Sequence, residues 1–205
     1  MIYHIDVGST HGYLEPEPVF LYEEWLDTAY EKGLCPECHC IDRRFYPQNF
    51  EVVLDDVPEG QVSALIENTG ITIWRRDFLG ILSEYMDGFI FGDVYLSDGT
   101  FLEDYATCYS KDYIILRGNI QSRYYRCSTC GTVTSKVKPG PQYVLRRYIK
   151  DSLVYQDAYC RMFLTEEIAR SLNMDDFENV GLEPILVRDI PPDGLSFEMQ
   201  FNSDD

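Results

Sequence analysis

Four of the seven cysteines in this 205-residue chain fall into two Cys-x-x-Cys pairs. Cys35 and Cys38 lie in "LCPECHC" (34–40), and Cys127 and Cys130 in "RCSTCG" (126–131). Zinc takes four ligands in a tetrahedron, and a Cys-x-x-Cys turn presents two thiolates to one ion while its backbone N–H groups point at the sulfurs. Two such turns complete a four-cysteine set. Cys35, Cys38, Cys127 and Cys130 are therefore the expected ligands of a single structural Zn2+, with no open position for catalysis. The spacing is wide, because a compact ribbon joins its knuckles through roughly 15–20 residues. Here nearly ninety residues are inserted between them, so the ion would tie an early loop to a late hairpin.

Two other readings of these cysteines stand beside the metal. A thioredoxin-like redox pair requires a Cys-x-x-Cys that opens a helix after a strand. The second pair is instead followed by Gly131 and strand-like sequence, and the first by "HCIDRRFYP". Unpaired structural thiols are the remaining alternative, and Cys108 and Cys160, in apolar strand-like contexts, fit it best. His39 and Cys40 could each replace Cys38 as a ligand. Adjacent side chains rarely converge on one ion, so both are expected beside the site and not in it. An odd number of cysteines, with four in knuckle pairs, suits a metal set better than a disulfide framework.

Catalytic constellations are not visible. The histidines are His4, His11 and His39, and none belongs to an H-E-x-x-H motif. No G-x-S-x-G, Walker A or G-x-G-x-x-G stretch occurs. Carboxylate pairs such as Glu23/Glu24, Asp55/Asp56, Glu166/Glu167 and Asp175/Asp176 are expected by chance among 35 acids. "HIDVGSTHG" (4–12) could bring His4, Asp6 and His11 together, but polar loop residues explain it equally well. No enzyme is expected.

The elements that must position the cysteines read as α+β: a mostly antiparallel sheet, a few short helices and a zinc-ribbon-like pair of Cys knuckles. Strands are expected at 2–7, 50–56, 71–74, 89–96, 113–118, 122–127, 132–137, 142–149, 158–164 and 182–187. A helix over 21–33 places Leu21, Trp25, Leu26, Ala29 and Tyr30 on one side and stops at Gly33. A second helix over 75–88 carries Phe78, Leu79, Leu82, Tyr85 and Met86 at helical spacing, with Asp77 as its N-cap. A third spans 165–174 with Thr165 as N-cap and Glu166 and Glu167 against its N-terminal dipole. Residues 59–68 are weakly helical. No internal repeat of 20–50 residues is visible. One domain over 1–190 is expected, with 34–41 and 122–138 forming the ribbon-like element and 191–205 a flexible tail.

Composition narrows the class. Hydrophobic residues make up 45% of the chain, enough for a packed core. No apolar run is long enough to span a membrane, and the N-terminus lacks the basic and apolar regions of a secretory signal. A cytoplasmic protein with no membrane contact is expected. The net charge of −18 disfavours a general nucleic-acid binder and suits a basic partner. Against that background, residues 111–150 hold nine Lys or Arg and a single acid, Asp112. This segment either pairs with the acidic remainder or forms an interaction face.

The two cysteine pairs, with "YP" at Tyr46-Pro47, a middle helix, and the ending "DSLVYQDAYCRMFLTEEIARSLNMDDFENVGLEPI", make the chain resemble the double-CXXCG family of myxobacterial paralogues. The ending also looks like that of other immunity domains. The resemblance covers most of the chain in order. It departs at the first motif, where His39 stands in place of a glycine that would ease the turn through a positive φ. Members of that family include immunity proteins against kin-delivered toxins. The resemblance therefore implies a non-enzymatic antitoxin that binds a cognate protein toxin, and the acidic charge is compatible with steering onto a basic one. The acidic, aromatic segment 84–105 (Glu84, Asp87, Asp93, Asp98, Glu103, Asp104) is the expected contact face. The alternative is a zinc-ribbon nucleic-acid or transcription-associated module using Arg117, Arg123, Arg126, Lys136, Lys138, Arg146 and Arg147.

Overall fold

The computed structural model describes residues 1–7, 31, 33–42, 44, 50–58, 62–65, 71–110, 112–117, 123–136, 142–149, 151–173, 177 and 180–189. Within them are twelve strands: β1 (Ile2–Val7), β2 (Val52–Leu54), β3 (Ser63–Leu65), β4 (Thr72–Arg75), β5 (Phe89–Leu96), β6 (Phe101–Ser110), β7 (Arg123–Arg126), β8 (Val133–Lys136), β9 (Tyr143–Leu145), β10 (Val154–Gln156), β11 (Met162–Thr165) and β12 (Val180–Arg188). Two short helices follow strands directly, α1 (Arg76–Leu82) after β4 and α2 (Glu166–Ser171) after β11. One sheet has the order β2-β5-β6-β4-β3, another β9-β12-β1-β11-β10, and β7-β8 stand as a separate hairpin. No helix among the described residues is long and apolar enough to cross a membrane.

The two five-stranded sheets are the same sheet built twice. In each, the first pair is parallel (β2 with β5, β9 with β12) and the others are antiparallel. The registers correspond residue by residue. Ser63 faces Trp74 as Val154 faces Leu164, Ile73 faces Thr107 as Phe163 faces His4, and Phe91 faces Cys108 as Leu182 faces Ile5. Matching positions lie 90 to 92 residues apart through both cysteine pairs, both helices and all these strands except one. The exception is the central strand. β1 opens the first half of the chain yet completes the second half's sheet, while β6 opens the second half and completes the first's. The halves have exchanged their first strands.

That exchange dictates the packing. β6 is buried on both faces from Tyr105 to Tyr109, so it shows no clean alternation of apolar and polar residues. Its Tyr105 and Tyr109 join an outer core with Leu34, Ile41, Phe50, Val52 and Ile73. Its Ala106 and Cys108 face a central core shared by the halves, where Trp74, Phe78, Leu79 and Leu82 meet Met162, Leu164, Ile168 and Ala169. A second outer core gathers Ile2, Val144, Phe163 and Ile185. Gly92 in β5 is needed for close approach: a Cβ there would lie 1.9 Å from the Phe50 carbonyl oxygen and 2.6 Å from Thr107 Oγ1.

Several local expectations change. The sheets are mixed, with one parallel pair each, because the strand–helix segment between β2 and β5 returns the chain in the same direction. Ser63–Leu65 is a strand, not a helical turn. Phe101–Ser110, the longest of these strands, carries exposed Glu103 and Asp104 where its register with β5 is interrupted and β4 has ended, which masks its strand character in the sequence. Residues 113–117 form no strand, although Arg117 bridges Tyr143. Tyr143–Leu145 is followed by a 3-10 turn over Arg146–Tyr148, and β11 begins only at Met162. Asp77 lies inside the first turn of α1; Arg75 holds the N-cap position. Thr165 holds that of α2, without a side-chain capping bond. The expected helix over 21–33 and the tail 191–205 fall outside the described residues, apart from helical Glu31 and Gly33, whose φ is +135°.

One buried polar side chain fastens the sheets to each other. Gln156, at the end of β10, is fully buried. Its Oε1 accepts the Ser110 N–H at 2.7 Å, and its Nε2 donates to the carbonyls of Cys108 (3.0 Å) and Cys160 (3.2 Å). Truncation would leave a donor and two acceptors without this partner in a dry interior. Gln156→Ala is expected to lower unfolding stability by about 2–4 kcal/mol, read by urea denaturation; a loss below about 0.5 kcal/mol would contradict the role assigned to Gln156.

Candidate metal centre

Each cysteine pair sits at the tip of a β-hairpin, and the two tips have the same backbone design. In the first, Cys35 N–H bonds the Cys40 carbonyl (2.9 Å) and His39 N–H bonds the Cys35 carbonyl (2.8 Å). In the second, Cys127 N–H bonds the Thr132 carbonyl (3.0 Å) and Gly131 N–H bonds the Cys127 carbonyl (2.9 Å). The stems match as well, with Leu34 bridging Ile41 as Arg126 pairs with Val133. Both turns require a left-handed residue after the second cysteine. Gly131 meets this at φ +71°, whereas His39 is held there at φ +60°. The hairpin closure keeps His39 in a conformation that costs an L-residue roughly 1–2 kcal/mol.

The four sulfurs converge. Cys35 Sγ lies 3.6 Å from Cys127 Sγ and Cys38 Sγ lies 3.5 Å from Cys130 Sγ; all four are within 4.8 Å of one another. A tetrahedral ion with metal–sulfur bonds near 2.3 Å needs sulfur–sulfur edges of about 3.8 Å. The site fits such an ion with small adjustments. The sulfurs also form a packing cluster of their own, separate from the three apolar cores.

Electrostatics favour a cation. Burial pushes the Cys35, Cys127 and Cys130 thiols up from their ordinary range. Cys38 is raised first by its hydrogen bond with the Cys40 thiol and then by burial. Backbone N–H groups oppose this at every sulfur: those of Glu37 and Cys38 at Cys35, Cys40 at Cys38, Thr129 and Cys130 at Cys127, and Thr132 at Cys130. Four thiols reluctant to ionise alone, but already supplied with donors for the thiolate form, are poised to exchange protons for a metal. Affinity for the ion should rise with pH.

A second clamp was not legible as part of the site. Glu37, between the first two cysteines, reaches across to the opposite turn. Its Oε2 accepts from Thr129 Oγ1 (2.6 Å), Ser128 Oγ (2.8 Å), Thr129 N–H (3.1 Å) and the Cys127 thiol (3.3 Å). These bonds, the Thr129 hydroxyl foremost and Ser128 next, draw the Glu37 carboxyl down to about 2. Glu37 and Thr129 occupy equivalent positions of the two knuckles, so the contact lies where the halves meet. The sequence signal was the pair of intervening dipeptides, an acid in Pro36-Glu37 and hydroxyls in Ser128-Thr129. On the stem side, buried Asp42 receives Arg44 Nε at 2.9 Å and closes the first hairpin through its own N–H to Gly33 O (2.6 Å).

Other sequence candidates are placed elsewhere. His39 and Cys40 do not belong to the group of four. Cys108 and Cys160 are buried in the cores, outside the group of four. His4 sits in β1 with its ring 5.0 Å from that of Phe163, and burial, with Arg161 nearby, pushes it down to about 4. It is therefore a neutral, half-buried histidine near pH 7, and its supposed partner His11 falls outside the described residues. Of the basic residues named for nucleic acid, Arg117 is buried, its guanidinium 5.7 Å from the Tyr143 ring centre, and Arg146 pairs with Asp189.

Cys127→Ser is expected to abolish stoichiometric metal binding, measured by metal analysis after gel filtration, and to speed amide exchange at 33–42 and 123–136 before the sheets. Retention of a full equivalent would contradict the four-sulfur site. Glu37→Ala should weaken metal affinity about tenfold while leaving the stoichiometry intact. His39→Gly relieves the left-handed strain and should stabilise the protein by up to about 1 kcal/mol in thermal unfolding.

No family model matches the chain, and no curated protein matches it.

Proposed function

We propose that this protein is a non-enzymatic immunity protein, an antitoxin that binds a cognate protein toxin, on a scaffold locked by a structural zinc held by four cysteines. The convergence of four sulfurs from two hairpins carries the metal part of the reading. Zinc is the ion chosen because a closed, tetrahedral tetrathiolate suits it, and such a site offers no open position for chemistry. The toxin-binding part rests on the resemblance to the double-CXXCG family and on charge. A net charge of −18 attracts a basic partner over a distance set by ionic strength.

The acidic face is supported by what surrounds it. Asp98, Glu103 and Asp104 are exposed on the β5–β6 hairpin, with Asp55 and Asp56 exposed at the end of neighbouring β2. Phe101 is exposed beside them, packed against Tyr95 at 5.4 Å with the Arg76 guanidinium 5.7 Å from its ring centre. Asp93 pairs with that same Arg76, which offsets its charge. An aromatic anchor within a carboxylate rim is the composition that a basic, partly apolar partner recognises.

Two measurements test the parts separately. Purified protein is expected to carry about one zinc per chain, with four thiols protected until denaturation; metal-free protein with seven reactive thiols would reject the metal. Co-expression with toxins encoded beside its gene should restore growth. Phe101→Ala with Glu103→Lys should weaken the toxin complex by at least about a hundredfold while zinc content is unchanged. If no such toxin binds or is neutralised, the antitoxin reading is wrong.

A further inference from the structure

The two knuckles are fastened to each other by bonds that involve no sulfur. Glu37 Oε2 accepts from Thr129 Oγ1 at 2.6 Å, Ser128 Oγ at 2.8 Å and Thr129 N–H at 3.1 Å, all on the opposite turn. These three bonds hold the tips in register independently of an ion. Within that register the sulfurs stand in equivalent pairs across the two halves. Cys35 Sγ contacts Cys127 Sγ at 3.6 Å and Cys38 Sγ contacts Cys130 Sγ at 3.5 Å, each pair separated by 92 residues of chain. Cys35, Cys127 and Cys130 are buried, 8% exposed or less, whereas Cys38 is half-buried. The most accessible sulfur of the four therefore already touches a sulfur of the other half.

We propose that the cysteine centre is a redox switch between two locks, set between turns that Glu37 holds in register. A hydroperoxide converts the tetrathiolate to cross-knuckle disulfides, Cys38–Cys130 first and Cys35–Cys127 second, and the ion leaves while the halves stay joined. The proposal rests on the metal reading given above. In the first step the Cys38 thiolate attacks one peroxide oxygen; an S–O bond forms, the O–O bond breaks, and hydroxide (or the alkoxide) leaves. In the second, the Cys130 sulfur attacks the Cys38 sulfenic acid; the S–S bond forms, the S–O bond breaks, and the departing hydroxide takes a proton from solvent. Each disulfide gives up two electrons and reduces one peroxide, so two peroxides oxidise the whole set without another reactant.

Pairing across the knuckles follows from the geometry. A disulfide brings its sulfurs to roughly 2.05 Å, so the 3.5 Å contact of Cys38 with Cys130 has about 1.5 Å to close. That bond leaves the ion with only Cys35 and Cys127, too few for a tetrahedral site, and a chelator removes it. Glu37 keeps the turns apposed in the interval, so Cys35 and Cys127 remain in contact for the second bond. Cys40 lies outside the group of four, and a bond from Cys38 to it would leave an odd sulfur among the other three. Disulfides that close so long a loop restrict the unfolded chain, so the oxidised protein stays folded without its metal. Dithiol reductant reverses both bonds and restores the site.

The full-length, zinc-loaded chain is treated with hydrogen peroxide in the presence of a chromogenic chelator, then alkylated and mapped by mass spectrometry. The expected result is zinc release in step with a Cys38–Cys130 disulfide, followed by Cys35–Cys127, and recovery of zinc binding after dithiothreitol and added zinc. Glu37→Ala should still bind zinc at the parent's stoichiometry. After peroxide, its ratio of cross-knuckle bonds to the within-knuckle bonds Cys35–Cys38 and Cys127–Cys130 should fall about tenfold, the effect of losing charge-assisted hydrogen bonds between the turns. Zinc retained under peroxide, parent disulfides that map within a knuckle or to Cys40, or an unchanged ratio in Glu37→Ala would overturn the proposal and leave the metal reading intact. An untreated chain that binds no zinc overturns both.

Discussion

At the four sulfurs, two hairpins bring Cys35 and Cys38 against Cys127 and Cys130, across 92 residues of chain. The tips themselves meet away from the large cores: the sulfurs form a separate small cluster, while the stem residues Leu34 and Ile41 of the first hairpin reach an outer core. Apolar burial at roughly 25 cal/mol per Å² offers little at so small a contact. Cross-links of a different kind must hold the tips together. The structure supplies one in Glu37, whose carboxylate gathers donors from the opposite turn, and geometry for another in the tetrathiolate.

The meeting point follows from the duplication. Matched halves related residue by residue place their equivalent turns around a common centre, which is why Glu37 touches its own counterpart, Thr129, and why the four sulfurs of two knuckles converge on one point. The exchange of β1 and β6 deepens the union. Each sheet takes its central strand from the other half, so neither can be withdrawn without breaking two antiparallel ladders. Gln156 adds a polar tie from β10 to the end of β6, and the central core draws on both helices. The result is unity at the sheets, with the knuckles as an appended lock.

How much of this could be read from residues alone differs by element. The four cysteines were legible because thiolate chemistry demands a fixed spacing, and two repeats of that spacing leave little choice. Most hairpin strands were legible through turn residues such as Asp98-Gly99 and through the stop at Gly131. β6 was not, because burial on both faces removes the alternation that marks a strand, and Glu103 and Asp104 at its exposed end disguise it further. The duplication was invisible for a related reason. Packing constrains burial and register, not identity: Trp74 matches Leu164, Phe78 matches Ile168, and Leu79 matches Ala169, so the apolar positions persist while side-chain sizes trade between halves. The cysteine pairs are the part of the repeat where chemistry forbids such trading. Parallel pairing of β2 with β5 could not be inferred either, since it depends on where the intervening strands settle.

The departures from internal symmetry mark where the backbone closure leaves a side chain open to differ. A left-handed turn residue is glycine in one knuckle and histidine in the other, although the backbone bonds around both are the same. Stability alone would favour glycine twice, because a Cβ at positive φ adds strain without adding a rung to the hairpin. Threonine would likewise serve at Cys40 as it does at Thr132, since the carbonyl and N–H that shape the turn belong to the backbone. Both deviations therefore fall on side chains that the hairpin bonds do not require, and both lie beside Cys38. Backbone closure explains why the two knuckles resemble each other, and it leaves the side chains of His39 and Cys40 open to differ from Gly131 and Thr132.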